Sequence, residues 1–181
     1  MSQPPPRAVA LVAESARFVS DLPLACAVAA PHALGMTANA TVSLVTRVAP
    51  ASPEDAQQHF SRRLAFETDC ADVARDLRLG TTPYTVVDVR SSEHYAAGHV
   101  PGAVNAPGGL GAADLPDGLL VLYCWGPGCN GADGAAARLT AQWRQVKTML
   151  GGFEYWVREG QPVEGTQREA LAQRADPALV G

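Results

Sequence analysis

The sequence predicts an α/β protein, with a central parallel sheet covered by helices on both faces. Three observations point there. Tyr84–Arg90, Leu119–Tyr123 and Val146–Leu150 are short and nearly continuous in apolar character, which is the pattern of strands buried on both faces. Helical periodicity and capping residues lie between them, and strand alternating with helix is the order of a parallel sheet. Glycines follow two of the strands directly, at Gly126, Gly128 and Gly131 and at Gly151-Gly152, so the chain turns where those strands end.

The chain has 181 residues, enough for one domain with an extension. Residues 1–50 read as a leader without regular structure. Pro4, Pro5 and Pro6 forbid a helix at the start, and no strong period runs through 22–50. Between Asp21 and Arg47 no residue carries a fixed charge. That window is long enough to span a bilayer, but it is rich in alanine and broken by Pro23, Pro31, His32, Gly35 and Asn39. Glu14 and Asp21 precede it and oppose export. Leu24-Ala25-Cys26 lacks an aliphatic residue at Pro23, where a lipoprotein signal wants one. A cytoplasmic location without a membrane segment is therefore expected. Translation from Met36 is the other reading of this region, and native peptides from before Met36 would exclude it.

Order begins at Ser52. Ser52 suits an N-cap, Pro53 the first helical position, and Glu54 and Asp55 the first turn. Ala56, Phe60 and Leu64 follow at helical spacing and make an apolar stripe. This leading helix occupies 52–66. Thr68 or Asp69 caps a second helix, with Val73 and Leu77 inward and Gly80 as its stop. The strand 84–90 comes next. Ser91, Ser92 and Glu93 open a short helix that ends at Gly98. Residues 99–105 read as a turn and a short strand, and 114–118 as a loop. After the strand 119–123 come a glycine loop and a helix from Ala132 to Trp143. The strand 146–150 leads to a helix over 153–159. Residues 166–181 read as a flexible or weakly helical tail.

Charge narrows the partners. With 14 basic and 18 acidic residues the net charge is −4, which argues against nucleic acid or an anionic membrane as partner. Four cysteines, at 26, 70, 124 and 129, are too few and too scattered for a disulfide framework. Cys124 and Cys129 have no second ligand pair, so a structural zinc site is not expected. No metal or cofactor is required by any motif in the chain.

Chemistry concentrates at Cys124. It directly follows the strand 119–123, and Trp125-Gly126-Pro127-Gly128-Cys129-Asn130-Gly131 leads from it into a helix. Strand, glycine-rich loop and helix N-terminus together make a nest of backbone N–H groups. A thiolate there gains hydrogen bonds and the positive helix end, which contributes about 1 kcal/mol and lowers the pKa. Such a cysteine suits attack on a sulfur, phosphorus or arsenic centre.

Four motifs then carry a family resemblance. They are Val87-Asp88-Val89-Arg90, the run Tyr95 to Asn105 with Gly98-His99-Val100-Pro101-Gly102, Leu122-Tyr123-Cys124 with its loop, and Gly151-Gly152-Phe153-Glu154-Tyr155-Trp156 with Gly160-Gln161-Pro162-Val163. In this order they resemble rhodanese-like domains over roughly residues 68–164. The resemblance implies a five-stranded parallel sheet and a domain over 51–165 that includes the leading helix. It also implies a sulfurtransferase: Cys124 takes a sulfane sulfur from a donor such as thiosulfate, holds it as a persulfide, and passes it to cyanide or a thiol. Residues 125–131 would bind the substrate. The partners implied are a small sulfur donor and a thiol acceptor; oligomeric state is not indicated.

The loop departs from the family's usual form. It is longer by about two residues before Ala135-Ala136-Ala137, and no Arg or Lys lies between Trp125 and Asp133. Thiosulfate would find no cation here. Phosphatases and arsenate reductases of related form place an Arg where Asn130 stands, which argues against both. Three roles are open to Cys129: a resolving thiol for Cys124, the nucleophile itself, or a space filler. Asp88 and Arg90 suit a buried ion pair that orders the neighbouring loop, and His99 a hydrogen bond within its turn. Trp125 is a candidate pocket wall. Two alternatives to sulfur transfer remain: a thiol redox element using Cys124 and Cys129, and a catalytically silent binding module.

Overall fold

The computed structural model describes residues 43–109 and 114–180. Cys26, Met36 and most of the leader lie outside the described residues. The chain divides into units at 1–48 and 49–181, and the second carries the fold. Among the described residues its sheet has five strands: β1 (Glu67–Asp69), β2 (Tyr84–Asp88), β3 (Val104–Asn105), β4 (Leu119–Tyr123) and β5 (Gln145–Leu150). Their order is β1-β5-β4-β2-β3, and every pairing is parallel.

Alternation along β4 shows how the sheet is covered. Val121 and Tyr123 face a core with Val73 and Ala74 of α2 (Cys70–Leu79) and Phe153 and Trp156 of α5 (Gly152–Arg158). Leu120 and Leu122 face the other core, with Ala132, Ala135 and Leu139 of α4 (Gly131–Thr140). Helices therefore cover both faces, as the apolar continuity of the strands requires. The loop after β2 leads to α3 (Ser92–Ala97), whose Tyr95 joins the first core. The loop after β4 leads to α4 on the opposite face. The loop after β5 leads back to α5 on the first face, and neighbouring strands such as β4 and β5, whose connections leave to opposite faces, leave room for a site at their carboxyl ends.

The caps follow the expected chemistry. The side chains of Ser52, Asp69 and Ser91 accept from the N–H groups of Asp55, Asp72 and His94. Asp69, not Thr68, is thus the cap of α2.

Several elements differ from expectation. Residues 67–69 form a strand where the sequence suggested only a link between helices. Three polar residues carry no readable period, and β1 exists because Glu67, Thr68 and Asp69 pair in register with Thr148, Met149 and Leu150. The apolar stripe on α1 (Pro53–Phe66) is not buried: Phe60 is 57% and Leu64 72% exposed. Lys147 Nζ donates to the Leu64 carbonyl at 2.8 Å and ties the helix end to β5. Strand β2 stops at Asp88 because Val89 and Arg90 leave the sheet. The final segment contains α6 (Arg168–Ala172), and Thr166 and Gln167 donate from their backbone N–H to the carbonyls of Ala96 and Ala97.

Helix α4 ends at Thr140, three residues before the expected Trp143. Arg144 N–H donates to Leu139 and Trp143 N–H to Thr140, which closes the helix with a left-handed residue at Trp143, φ 61°. Helix α2 closes the same way with Gly80, φ 66°. Trp143 is 95% exposed, so its side chain gains little by burial while its backbone is strained. Trp143→Gly is expected to raise stability by about 1 kcal/mol in urea unfolding.

Beneath the carboxyl ends of β2 and β4 lies a buried polar network. Asp88 is fully buried and Arg90 nearly so. Arg90 Nη2 meets Asp88 Oδ2 at 2.5 Å and donates to the Gly98 carbonyl at 2.6 Å. The Tyr123 hydroxyl donates to Asp88 Oδ2 at 2.7 Å and accepts from Val100 N–H at 3.1 Å. The Arg90 guanidinium stacks 4.0 Å from the Phe153 ring centre. Every buried side-chain nitrogen and oxygen among the described residues has a partner.

Candidate active site: two thiols at the end of the central strand

Cys124 leaves β4, the middle strand of the sheet, at its carboxyl end. Gly126-Pro127-Gly128-Cys129 then makes a β-turn closed by Cys129 N–H to the Gly126 carbonyl at 2.9 Å. Proline presets the second turn position. The turn folds the loop back and sets Cys129 Sγ 2.6 Å from Cys124 Sγ, with both thiols free. Gly131 N–H, at the start of α4, donates to Cys129 Sγ at 3.4 Å. A Cβ at Gly131 would lie 2.7 Å from Cys124 Sγ, so only glycine leaves room for the pair.

The start of α5 clamps this loop from the other side. Phe153 N–H donates to the Cys124 carbonyl at 3.0 Å, and Glu154 N–H to the Trp125 carbonyl at 2.7 Å. Gly152 has φ 58°, and a Cβ there would lie 2.8 Å from Cys124 O and 2.9 Å from Gly126 N. Both obstacles are backbone and cannot swing away. Gly152→Ala is expected to cost about 2–4 kcal/mol, left-handed strain plus overpacking, and to displace Cys124. Gly102→Ala is the control, since Gly102 is left-handed with open space around it. Equal unfolding midpoints for the two variants would show that the clamp has no rigidity.

The protonation pattern differs from the expected one. Burial, then the hydrogen bond to Cys129, pushes the Cys124 thiol up to about 11. The Cys124 thiol donating to it, and next Gly131 N–H, hold Cys129 below the ordinary thiol value. Cys129 is therefore the more readily ionised of the pair, whereas the sequence placed the lowered pKa on Cys124. Cys124 is the deeper of the two, and the Gly131 N–H points to the outer sulfur.

A cavity of about 120 Å³ opens beside the pair. At roughly 30 Å³ per water it admits a ligand of a few heavy atoms. Cys124, Cys129, Thr148, Gly151 and Gly152 line it, and Asp133 is the charged side chain in its wall. A larger cavity of about 550 Å³ lies along α1 and β1, but its lining contains no cysteine.

The other predicted residues divide clearly. Asp88, Arg90 and His99 do not line the cavity. Asp88 and Arg90 hold the loop after β2. His99 Nδ1 pairs with the Tyr95 carbonyl at 2.8 Å, and its ring stacks on Tyr95. Trp125 is 41% exposed at the rim, with the His94 ring 6.4 Å away in an edge contact. Asn130 begins α4 without a side-chain capping bond. Asp133, the one charge the sequence places near the loop, does line the cavity, whereas Thr148 and His94 were not singled out from the sequence, because only folding brings β5 and α3 to this rim.

Cys70 lies below the clamp, buried, with its thiol donating to the carbonyls of Leu150 and Gly152. Burial pushes it from 9.0 up to about 12. Iodoacetamide at about pH 8 is expected to modify Cys129 first and Cys70 last, since the thiolate is the nucleophile. The fold favours the protonated Cys70 thiol. Its contribution is thus intact below pH 9.0 and lost as pH rises toward about 12. Cys70→Ala should flatten the fall in melting temperature over that alkaline range. Among the described residues no group of three or more His, Cys, Asp or Glu side chains could hold a metal ion. No helix among them is long and apolar enough to cross a membrane.

Comparison with known proteins agrees with this architecture. The family model of the Rhodanese-like domain matches residues 71–159. An HTH-type transcriptional regulator of Mycobacterium tuberculosis, Rv0324, is 39% identical over 88 residues, 44% of this chain; the matched stretch is 37% of the regulator's length. The thiosulfate sulfurtransferase GlpE of Pseudomonas fluorescens is 40% identical over 77 residues, 39% of this chain and 68% of GlpE. The crystal structure of the BH2092 protein from Bacillus halodurans superposes with a TM-score of 0.62 at 38% identity, covering 71% of this chain and 93% of that one. With motifs, sheet order and relatives in agreement, the chain belongs to the rhodanese-like family.

Proposed function

We propose that the protein is a sulfurtransferase that carries sulfur as a persulfide on Cys124. The observation behind this is the thiol pair: a cysteine at the end of the central strand, facing a small cavity, with a second thiol at its side. Cys129 takes the Cys124 proton as Cys124 Sγ attacks the outer sulfur of the donor. The new bond is Cys124 Sγ to sulfane sulfur, and the donor's S–S bond breaks. The donor leaves as a thiolate, or as sulfite if it is thiosulfate. The Trp125 backbone N–H, which bonds to Cys124, stabilises the charge on the persulfide. An acceptor thiol then attacks the outer sulfur and restores Cys124.

The donor class follows from the wall of the cavity. Asp133 stands there without a cation, which repels a dianion such as thiosulfate. A persulfide of a small thiol, neutral or singly charged, fits better. Similarity to a thiosulfate sulfurtransferase supports the reaction class rather than the donor. Free, closely spaced thiols suit a reducing compartment, which makes the cytoplasm the proposed location.

The test uses the full chain with cyanide as acceptor, and either thiosulfate or cysteine persulfide as donor. Thiocyanate should form faster with the persulfide. Peptide mapping of the donor-loaded protein should find the added sulfur on Cys124. If no donor loads sulfur, the reading fails and a binding role takes its place.

A further inference from the structure

We infer that Cys129 discharges the persulfide within the loop, releasing sulfide and leaving a Cys124–Cys129 disulfide. This rests on the persulfide proposed for Cys124. Sulfur transfer needs one thiol, and this loop holds two in contact.

The geometry favours internal discharge. The Gly126–Cys129 turn holds Cys129 Sγ against Cys124 Sγ, which is the atom Cys129 must attack. Gly131 leaves the space both sulfurs occupy and supplies an N–H to Cys129. The cavity, about 120 Å³, is narrow for a bulky external thiol once the persulfide fills part of it. An oriented internal group reaches effective molarities of about 10⁵ M or more, against which millimolar free thiols compete poorly. Cys129 is also the thiol held below its ordinary value, so it forms the attacking thiolate more readily than an ordinary cysteine.

The step balances without an outside oxidant. The proton that Cys129 took from Cys124 passes to the outer sulfur, and the Cys129 thiolate so formed attacks Cys124 Sγ; the bond between the two Sγ atoms forms and the bond from Cys124 Sγ to the sulfane sulfur breaks. The departing sulfur leaves as hydrosulfide. The two cysteines are oxidised by two electrons, and the sulfane sulfur is reduced to sulfide by the same two. An external dithiol reduces the disulfide through half-exposed Cys129 and is itself oxidised. The net reaction is reduction of a persulfide by a dithiol, with sulfide as product.

A single-turnover experiment tests this. Full-length protein is mixed with one equivalent of cysteine persulfide without reductant, then read by intact mass and sulfide assay. The wild type should finish about 2 Da lighter, with one sulfide released per chain, while Cys129→Ser and Cys129→Ala finish about 32 Da heavier and release none above blank. A dithiol should return the wild type to its starting mass. A wild type that keeps the added sulfur, or a Cys129 variant that releases sulfide as the wild type does, overturns the inference and leaves the sulfurtransferase reading standing. Absence of any mass change or sulfide in all three proteins overturns both.

Discussion

Cys124→Ser is expected to abolish persulfide formation and to cut sulfur transfer by at least about 10³-fold, the scale on which loss of a covalent nucleophile acts. The serine hydroxyl fills nearly the same space at the end of β4 and leaves the clamp from α5 in place. It cannot hold a sulfane sulfur. Cys129 keeps the Gly131 N–H and has the serine hydroxyl beside it in place of the Cys124 thiol. The comparison with Cys129→Ser separates the two roles. Without Cys129, Cys124 must ionise alone from a half-buried position, where burial raises its pKa. Loading of the Cys129→Ser protein should be slower than wild type by about tenfold near neutral pH, one pKa unit's worth. It should catch up as pH rises and the lone thiol ionises. Stopped-flow loading across pH measures both. A Cys124→Ser protein that still turns over would move the nucleophile to Cys129. Equal pH profiles for wild type and Cys129→Ser would remove Cys129 as the base.

Cys124 was legible in the sequence because its signal is local. A buried strand, a glycine loop and a helix follow one another without interruption, and burial of Leu120, Val121, Leu122 and Tyr123 follows from their apolar character alone. The contact between Cys124 and Cys129 was open for the opposite reason. A spacing of five residues allows the thiols to meet or to part, and the turn at Pro127 decides. Which thiol carries the charge depends further on where Gly131 N–H points. Strand β1 escaped because its pairing is with β5, 81 residues away in the chain. The stripe on α1 shows the converse limit. Ala56, Phe60 and Leu64 satisfy helical periodicity, but periodicity says only that a helix has an apolar face, not that the fold supplies a surface to cover it. Trp143 is a similar case: helical propensity continued past Thr140, while the connection to β5 required the reversal.

Asp88→Ala is expected to cost about 3–5 kcal/mol, because it leaves a buried cation without its partner. Domain stabilities run to about 5–15 kcal/mol, so this one change removes a large share. Arg90 cannot escape to water, since it is nearly fully buried and held over Phe153. The Tyr123 hydroxyl loses the oxygen to which it donates and keeps only Val100 N–H. Arg90 N–H loses Asp88 Oδ1, its acceptor at 2.9 Å. Asp88→Asn should recover less than half of the loss: it restores an acceptor for Tyr123 but not the charge that Arg90 needs. The double change Asp88→Leu with Arg90→Met should be milder than Asp88→Ala, since removing both charges leaves no unpaired ion. Urea unfolding of the four proteins measures these differences. The effect also reaches the thiols. Tyr123 immediately precedes Cys124, so freeing its hydroxyl loosens the end of β4 and the position of Cys124 Sγ. Asp88→Ala, compared below its unfolding range, should therefore load persulfide more slowly than wild type, and Asp88→Asn, which keeps an acceptor for Tyr123, should load closer to wild type. If the double change costs as much as Asp88→Ala, the loss comes from packing around the carboxylate and not from the stranded charge.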